Sequence, residues 1–210
     1  MQLRQVYDEI ADSWSNFRTK PKKSIPFDRI RGFVLDVGCG NARNMIPLLK
    51  KGVKCVGIDF SKNMIKNALK LCEKHEVEAD FVLADMLHLP FKKKVFDVCL
   101  CISTLHHLDD RLKRIKALKE IKRVCKKDIY ILVWYRWQIF HIKHLLKNFM
   151  HFGDVYVEWR KRNKILYRYY HLYTKHELER DLSLARLKVI EIKITKENKK
   201  KDLFAYCTVV

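Results

Sequence analysis

Phe33-Val-Leu-Asp-Val-Gly-Cys-Gly-Asn41 combines a short apolar run with two closely spaced glycines. The apolar residues predict a buried strand, and Gly38 and Gly40 predict a sharp turn directly after it. Because glycine has no Cβ, such a turn lets a nucleotide-like ligand lie against the backbone and the N-terminus of the next helix. This stretch therefore predicts the first strand and the ligand-binding turn of an α/β fold.

The residues around this turn discriminate between cofactors. The third glycine of the dinucleotide fingerprint would fall at position 43, which is Arg43 here, so NAD and FAD are poor candidates. Asp36, at the strand end, would repel a pyrophosphate but suits the cationic methionine end of S-adenosylmethionine (SAM). The charge pattern selects SAM, with Asp36, Gly38, Gly40 and Asn41 as expected contacts.

Acidic residues also follow the next two predicted strands. The second strand ends in Asp59, about 20 residues beyond the glycine turn, where an acid reaches the ribose hydroxyls of a nucleotide. We expect Asp59 to bind the ribose and its neighbour Phe60 to contact the cofactor. The third strand precedes Asp85 and Met86, which we expect at the adenine amine and ring. Each acid alone is more commonly a cap or turn residue, but their joint order favours a cofactor site.

The rest of the pattern alternates strands with helices, as a doubly wound sheet requires. A fourth strand ends at Ile102, which we place beside the cofactor. Asp97 lies near the start of that strand, where we expect a structural role. Helices are predicted after Ser61 and after Asp109 or Asp110, because these residues are good N-caps.

A fifth strand at 129–134 and an antiparallel pair at 187–194 and 203–210 complete the predicted sheet. The predicted fold class is α/β, a doubly wound, seven-stranded, mostly parallel sheet with a basic, aromatic-rich insertion after strand five. A chain of 210 residues with 48% apolar content suits one domain spanning residues 1–210. We divide it into N-terminal lid helices (1–31), a SAM-binding core (32–134), a substrate-binding insertion (135–175), and a closing helix and hairpin (176–210).

Composition also bears on location and metal content. No apolar stretch has membrane-spanning length, and the first residues lack the apolar segment of a secretory signal. We therefore expect a cytoplasmic protein that does not use a membrane. The seven cysteines include no C-x-x-C pair and mostly occupy apolar positions, so we expect neither a metal site nor disulfides.

A formal net charge of +20 favours a polyanionic partner, because basic proteins gain affinity by releasing counterions from phosphate backbones. Lysine enrichment from a biased genome composition is the alternative explanation. Between residues 134 and 173, aromatic and cationic side chains interleave, and such pairs can stack splayed bases and hold phosphates. Roughly half of such rings are normally core residues. The aromatics are Trp137, Phe140, Trp159, Tyr167, Tyr169 and Tyr170, and the cations are Arg136, Lys143, Lys147, Arg160, Lys161, Arg162 and Arg168.

Two segments, Arg18-Thr-Lys-Pro21 and Arg168-Tyr-Tyr-His171, are more specific than the glycine turn. Together with Val6–Ala11, Leu89–Phe91 and Ile102–Leu108, they give a chain that resembles the tRNA wobble-uridine carboxymethyl methyltransferases over nearly its whole length. The resemblance implies a class I methyltransferase fold and SAM-dependent methylation of the carboxylate of 5-carboxymethyluridine in the tRNA anticodon loop. It also implies a small zinc-binding activator protein as partner.

Within this resemblance, Arg18 and Arg168 are expected to hold the substrate carboxylate, because a guanidinium binds a carboxylate through two parallel hydrogen bonds. His106 and His107 follow strand four and could orient the uracil or the carboxylate, with one of the two structural. The remaining candidates are Tyr7 as a SAM contact and, for the substrate, Lys20, Tyr169, Tyr170 and His171.

Structural alternatives exist for several of these residues. Arg18 could instead pair with Asp8 or Asp12 on the surface. Tyr7 could be a helix-packing aromatic, and His171 a core histidine. The activator is expected at the third strand, Phe81 to Ala84, because an apolar edge strand invites pairing by another chain.

The chain also departs from the family at three places. A Trp usually follows the Lys-Pro and is Lys22 here, a Gly after Gly-Asn is Ala42, and a Pro-Gly-Gly turn before strand five is replaced by 126–128. Two other readings of function stay open. One is a class I methyltransferase acting on a small molecule or a protein carboxylate, and the other is a catalytically silent RNA-binding subunit.

Overall fold

The structure is a computed structural model that describes residues 2–138, 153–161, 164–197 and 200–209. Its helices are α1 (Leu3–Phe17), α2 (Ile46–Leu49), α3 (Lys62–Lys74), α4 (Arg111–Val124) and α5 (Lys175–Leu184), with a 3-10 turn at Leu105–His107. Its strands are β1 (Val34–Val37), β2 (Cys55–Asp59), β3 (Asp80–Leu83), β4 (Phe96–Ile102), β5 (Cys125–Trp134), β6 (Asp154–Lys161), β7 (Lys164–His171), β8 (Lys188–Glu197) and β9 (Lys200–Thr208).

The main sheet has seven strands in the order β3-β2-β1-β4-β5-β9-β8 across the described ranges. Strands β1 to β5 pair in parallel, and β9 lies antiparallel between β5 and β8. This arrangement confirms the predicted fold class, including the antiparallel closing pair and the position of β3 at one edge. The order reverses between β1 and β4, which creates the switch point where α/β sheets bind ligands.

Alternating side chains of the strands bury both faces of this sheet. Leu35 and Val37 of β1 belong to a core beneath α4 and α5, whereas Val34 belongs to a second core beneath α2 and α3. The N-caps Ser61 and Asp110 each accept a hydrogen bond from a backbone N–H three residues later, at 3.1 and 3.0 Å, which confirms the predicted helix starts.

Strand β5 starts earlier than predicted. The sequence pattern predicts a start at residue 129, but α4 ends at Val124 and β5 begins at Cys125. Residues 126–128, which stand where the family has a Pro-Gly-Gly turn, are therefore already part of the strand. Asp97 accepts a hydrogen bond from the Phe33 N–H at 2.9 Å, at the same end of the sheet and away from the glycine turn.

The backbone after β1 follows the path that the glycines predict. Gly38 has a φ of +72°, and a Cβ there would lie 2.1 Å from Cγ2 of Thr104. Only glycine fits this position. Ala42 is also left-handed, with a φ of +64°, and is buried. The backbone therefore turns once more after the glycines, and α2 begins at Ile46.

Two elements outside the main sheet form the remaining wall of the site. Strands β6 and β7 pair with each other as a separate two-stranded sheet, which we call the hairpin. Helix α1 packs between α3 and the hairpin with Val6, Tyr7 and Ile10 buried. Asp8 fixes α1 on α3 by accepting hydrogen bonds from Ser61 Oγ at 2.7 Å and the Asn63 N–H at 3.2 Å.

All seven cysteines are buried as free thiols. Among the described residues, no helix has the length and apolar character needed to span a membrane. The same residues contain no cluster of three or more His, Cys, Asp or Glu side chains that could hold a metal ion.

Candidate active site

A cavity lies at the carboxyl ends of β1, β2 and β4, and α1 forms one of its walls. Eight of the predicted cofactor contacts line it: Tyr7, Gly38, Gly40, Asp59, Phe60, Asp85, Met86 and Ile102. Of the predicted catalytic residues, His107 lines it. The sequence reasoning did not identify the other lining residues, which are Leu3, Trp14, Cys39, Arg43, Asn44, Ile58, Met64, Ala84, Ser103, Thr104 and Leu108.

Asp59 is held rigidly at the end of β2. Its Oδ2 accepts a hydrogen bond from the Gly40 N–H and its Oδ1 from the Ser61 N–H, both at 2.9 Å. Burial raises the pKa of Asp59 to about 6. A carboxylate has about four acceptor positions, so two remain for the hydroxyls of a ribose. The geometry therefore fits the predicted ribose contact.

Asp36 is the most isolated carboxylate at this end of the sheet. It is 1% exposed, and neither of its oxygens has a hydrogen-bond donor among the described residues. Burial, assisted by the negative charge of Asp59, raises the pKa of Asp36 to about 7. Asp36 does not line the cavity, so a ligand would meet it through the cavity wall or through a water. An orphaned buried carboxylate of this kind fits the ammonium group of SAM.

Tyr7 and His107 connect α1 to the end of β4 inside the cavity. The ring Nδ1 of His107 lies 2.9 Å from the Tyr169 carbonyl oxygen, which can only accept, so Nδ1 carries the proton. Nε2 of His107 is then the acceptor for the Tyr7 hydroxyl, at 2.9 Å. Burial lowers the pKa of His107 to about 4 and raises that of Tyr7 well above 10. Both groups are therefore neutral near pH 7.

The same chain of hydrogen bonds continues into the hairpin. The Tyr7 oxygen lies 3.5 Å from the Tyr170 hydroxyl, and Nη1 of Arg168 donates to that hydroxyl at 2.9 Å. Arg168 is buried, and its guanidinium lies 4.8 Å from the ring of Trp159. No carboxylate pairs with Arg168 within the described part of the chain. Arg168 does not itself line the cavity, and its buried Nε is a donor that has no hydrogen-bond partner among the described residues. A guanidinium in this state suits an anionic group.

His106 has a different environment from His107. It is fully buried outside the cavity lining, and its Nδ1 accepts a hydrogen bond from the Trp134 N–H at 3.0 Å. Its proton must then be on Nε2, which has no partner among the described residues. Burial also lowers the pKa of His106 well below 6.5, so this ring is neutral as well. The structure brings only His107 to the cavity.

Residues 18–22, which we call the strap, lie beside the loop that follows the glycine turn. Nδ2 of Asn41 donates to the Arg18 carbonyl oxygen at 2.9 Å, and the Lys22 N–H donates to Oδ1 of Asn44 at 3.0 Å. The strap is therefore held in place by Asn41 and Asn44 of that loop. Arg18 is partly buried and Lys20 is exposed, and neither lines the cavity.

Lys22 stands where the family usually has Trp. Its ammonium pairs with the buried Asp202 at 2.7 Å and with Glu197 at 3.4 Å, which ties the strap to β8 and β9. Neither surface pairing considered for Arg18 is present in the described structure, because Asp8 and Asp12 bond to groups of α3 and its cap.

The other predicted substrate residues have neighbours within the fold. The Tyr170 ring stacks on Trp134 with a centroid distance of 4.1 Å and an interplanar angle of 5°. The Tyr169 hydroxyl donates to the Asp109 carbonyl oxygen at 3.3 Å, and His171 lies 2.6 Å from Oδ1 of Asp154. Phe140, Lys143, Lys147 and Arg162 of the predicted RNA-binding segment lie outside the described residues.

The additional lining residues carry only partial signals in the sequence. Trp14 lies one helical turn beyond the buried positions of α1, which hydrophobic spacing can indicate. Arg43 and Asn44 follow the glycine turn by three and four residues, yet they approach the cavity because the segment after Ala42 turns before α2 begins. Thr104 donates through Oγ1 to the Gly38 carbonyl oxygen at 3.2 Å, a contact across 66 residues that no local pattern indicates.

Comparison with known proteins agrees with this geometry. Residues 35–133 match the family model described as a methyltransferase domain. A tRNA (carboxymethyluridine(34)-5-O)-methyltransferase of Schizosaccharomyces pombe is 28% identical over 93% of this chain and 92% of that protein. The tRNA (carboxymethyluridine(34)-5-O)-methyltransferase alkbh8 of Xenopus tropicalis is 33% identical over 63% of this chain, which covers only 21% of that longer protein.

Solved structures share the fold. A SAM-dependent methyltransferase of Methanosarcina mazei has a TM-score of 0.77 at 21% identity, covering 90% of this chain and 99% of that one. A structure of a Haloferax volcanii complex between the Trm112 methyltransferase activator and a methyltransferase has a TM-score of 0.71 at 16% identity, covering 99% and 97%. The cavity, the family match and these neighbours agree: residues 35–133 form a methyltransferase domain, and the chain has the fold of the class I SAM-dependent methyltransferases.

Proposed function

We propose that this enzyme methylates the carboxylate of 5-carboxymethyluridine at the wobble position of tRNA, giving the methyl ester. The observation that carries the proposal is the buried guanidinium of Arg168, which reaches the cofactor cavity through Tyr170 and Tyr7. A cation in this place suits an anionic acceptor. The likeness to the S. pombe enzyme over most of both chains supports the same substrate class.

The proposed reaction makes modest chemical demands on the protein. A carboxylate with a pKa near 4 is already ionised at pH 7 and acts as its own nucleophile, so no general base is needed. When bound, SAM supplies an electrophilic methyl group on a sulfonium. The neutral state of His107 suits this reaction, because its ring has an orienting hydrogen bond at each nitrogen and takes no proton.

The protein then contributes alignment and exclusion of water. Arg168 and, from the strap, Arg18 hold the oxygen that does not attack. Tyr7 and His107 fix the wall between substrate and cofactor. Charge is neutralised as carboxylate and sulfonium become ester and thioether, so a dry site favours the transition state. The roles of Lys20, Tyr169, Tyr170 and His171 are to support the nucleoside.

We also propose a small zinc-binding activator of the Trm112 kind as a partner at β3. This strand is the edge of the main sheet, and Leu83 on it is 48% exposed. A strand edge with apolar side chains offers unpaired backbone groups to another chain. Because Asp85 and Met86 follow β3 directly, pairing there would also steady the adenine end of the cavity. Expression without such a partner should give poorly soluble protein with weak SAM binding, whereas a stable and fully active monomer would exclude the idea.

The decisive experiment co-expresses the chain with a Trm112-type activator and supplies methyl-labelled SAM with tRNA that contains carboxymethyluridine. We expect label on the wobble nucleoside that mild alkali releases, as it releases an ester. Transfer to a small molecule or protein carboxylate, with none to tRNA, would favour a different methyltransferase. SAM binding without any transfer would favour a silent RNA-binding subunit.

A further inference from the structure

The hairpin has two faces of different character. Side chains alternate between the faces of a strand, so Leu166, Arg168 and Tyr170 of β7 share the inner face. Leu166 packs into the core cluster of α1, and Tyr170 stacks on Trp134. The opposite face of β7 carries Ile165 and Tyr167. The inner face therefore belongs to the active site, whereas Ile165 and Tyr167 on the outer face have no role in the mechanism above.

The outer face exposes large rings. Tyr156 of β6 and Tyr167 of β7 are 55% and 52% exposed, and Ile165 beside them is 51% exposed. Tyr156 lies opposite Tyr169, so Tyr167 occupies the diagonal position two residues away, about 7–8 Å across the strand pair. Two tyrosines at this separation can each receive one base of an extended strand.

Exposed cations lie at the end of the hairpin. On the outer face, the Arg160 side chain is 80% exposed and lies 3.6 Å from Glu158, which is opposite Tyr167. On the inner face, the Lys164 side chain is 69% exposed and lies 3.5 Å from Glu9. Ion pairs between side chains this exposed and at these distances are weak, so a phosphate can readily replace the carboxylate. The net charge of +20 on the chain attracts a polyanion to the molecule, and Arg160 lies beside the exposed rings to contact its phosphates.

We propose that the outer face of the hairpin, formed by Tyr156, Ile165 and Tyr167 with Arg160, is a stacking platform for single-stranded RNA. Aromatic side chains on an exposed sheet face bind unstacked bases in this way in known RNA-binding modules. The platform holds loop nucleotides next to the modified base, while the inner face of the same strands holds the reacting group. This inference rests on the proposed function, because it names the surface by which the tRNA loop is bound.

The test uses the full chain with its activator and compares Tyr156→Ala, Tyr167→Ala and the double variant with the ring-preserving Tyr156→Phe and Tyr167→Phe. Ile194→Ala, at a half-exposed apolar residue on β8, is the matched surface control. Each Ala change should raise the Kd and KM for tRNA by about 5- to 150-fold, as loss of one base-stacking contact does. SAM affinity, kcat at saturating tRNA, and the Phe and Ile194 variants should stay within about threefold of wild type.

Three outcomes would distinguish failure of the platform from failure of the proposed function. If wild type methylates tRNA and the Ala variants bind it normally, the platform is wrong and the function stands. If wild type methylates no tRNA, the proposed function is wrong. Binding of fluorescent oligouridine then tests the platform alone, and weaker binding by the Ala variants than by wild type would support it. If the Ala changes alter activator binding or oligomeric state and leave RNA affinity unchanged, the face binds protein and the proposal is overturned.

Discussion

The proposed cofactor wall of the active site, formed by the glycine turn and Asp59, depends on backbone geometry at the turn. The proposed substrate wall, formed by Tyr7, His107, Arg168 and Tyr170, is held by contacts between side chains that are far apart in the sequence. Asp59 fixes the glycine turn across 19 residues through the Gly40 N–H. Tyr7 meets Tyr170 across 163 residues, through two hydroxyl groups. Backbone geometry leaves a signature in composition, because only certain residues permit it. Side-chain contacts between distant elements leave none, so the substrate wall is the part that substitutions must examine.

The largest effect is expected at the cofactor wall. Asp59→Ala removes the acceptor for the Gly40 and Ser61 N–H groups together with the proposed ribose contact. Losing these charge-assisted bonds should weaken SAM affinity by at least about 100-fold, equivalent to about 3 kcal/mol. Calorimetric titration of SAM checks this. Asp97→Asn is the matched control at the other end of the sheet, and equal losses in both variants would contradict a local role for Asp59.

The substrate wall should respond in the opposite way. Arg168→Ala removes the guanidinium proposed to hold the substrate carboxylate, and we expect methyl transfer to tRNA to fall by about 100-fold, as for a lost charged hydrogen-bond pair. SAM affinity should stay within about threefold. Single-turnover transfer and SAM titration on the same sample give both values. If SAM affinity fell as far as transfer, the division into two walls would be wrong.

Asp36 gives a test in which stability and binding change in opposite directions. Burial raises the pKa of Asp36 to about 7, above its unfolded value near 4. The cofactor-free fold therefore loses stability as pH rises from about 4 to 7, because ionisation of this buried group is unfavourable. Asp36→Asn should raise the free energy of unfolding of the cofactor-free protein by about 2–4 kcal/mol at pH 8. The same change should weaken SAM binding about tenfold. Thermal melts at pH 5 and pH 8, with and without SAM, measure both changes, and a variant less stable at pH 8 would contradict the assignment.

Tyr7→Phe removes the hydroxyl that joins the two walls. His107 Nε2 then loses its donor and Tyr170 loses its neighbour, while the ring of Tyr7 still fills the cavity wall. One buried hydrogen bond contributes about 1 kcal/mol, so transfer should fall about 5- to 10-fold. Steady-state kinetics with tRNA and with SAM as the varied substrate would show a smaller change for SAM. An unchanged rate would mean that the walls are independent.

The smallest effect is expected at Ala42. Its φ of +64° is sterically unfavourable for alanine but not for glycine. Glycine, however, loses more conformational entropy on folding. Ala42→Gly should therefore raise the free energy of unfolding by only about 0.5 kcal/mol and leave SAM affinity unchanged. Urea unfolding measures the change, with Ala68→Gly inside α3 as a control that should destabilise the protein. A loss of stability at Ala42 would show that the methyl group packs better than the backbone strain costs.

The sequence by itself determined the sheet and the cofactor cavity. The apolar runs of β1, β2 and β3 each end in glycine or an acid, and parallel strands bring their carboxyl ends to one edge. This is why the sequence alone predicts that Gly38, Gly40, Asp59 and Asp85 lie together, as they do at the cavity. The predicted start of β5 was wrong by four residues because Lys126 and Lys127 look like turn residues, whereas pairing with β4 extends the strand.

Only the tertiary structure decided which residues form the substrate wall. It separates His107, at the cavity, from His106, whose Nδ1 is bonded to the Trp134 N–H. It also shows Lys22 paired with Asp202, an ion pair that no local pattern could have indicated. Such contacts depend on how α1, the strap and the hairpin pack against the sheet, and packing is set by the whole chain. A sequence motif specifies the backbone conformation of its own residues. The contact partner of a side chain, by contrast, depends on which distant elements pack against it in the folded chain.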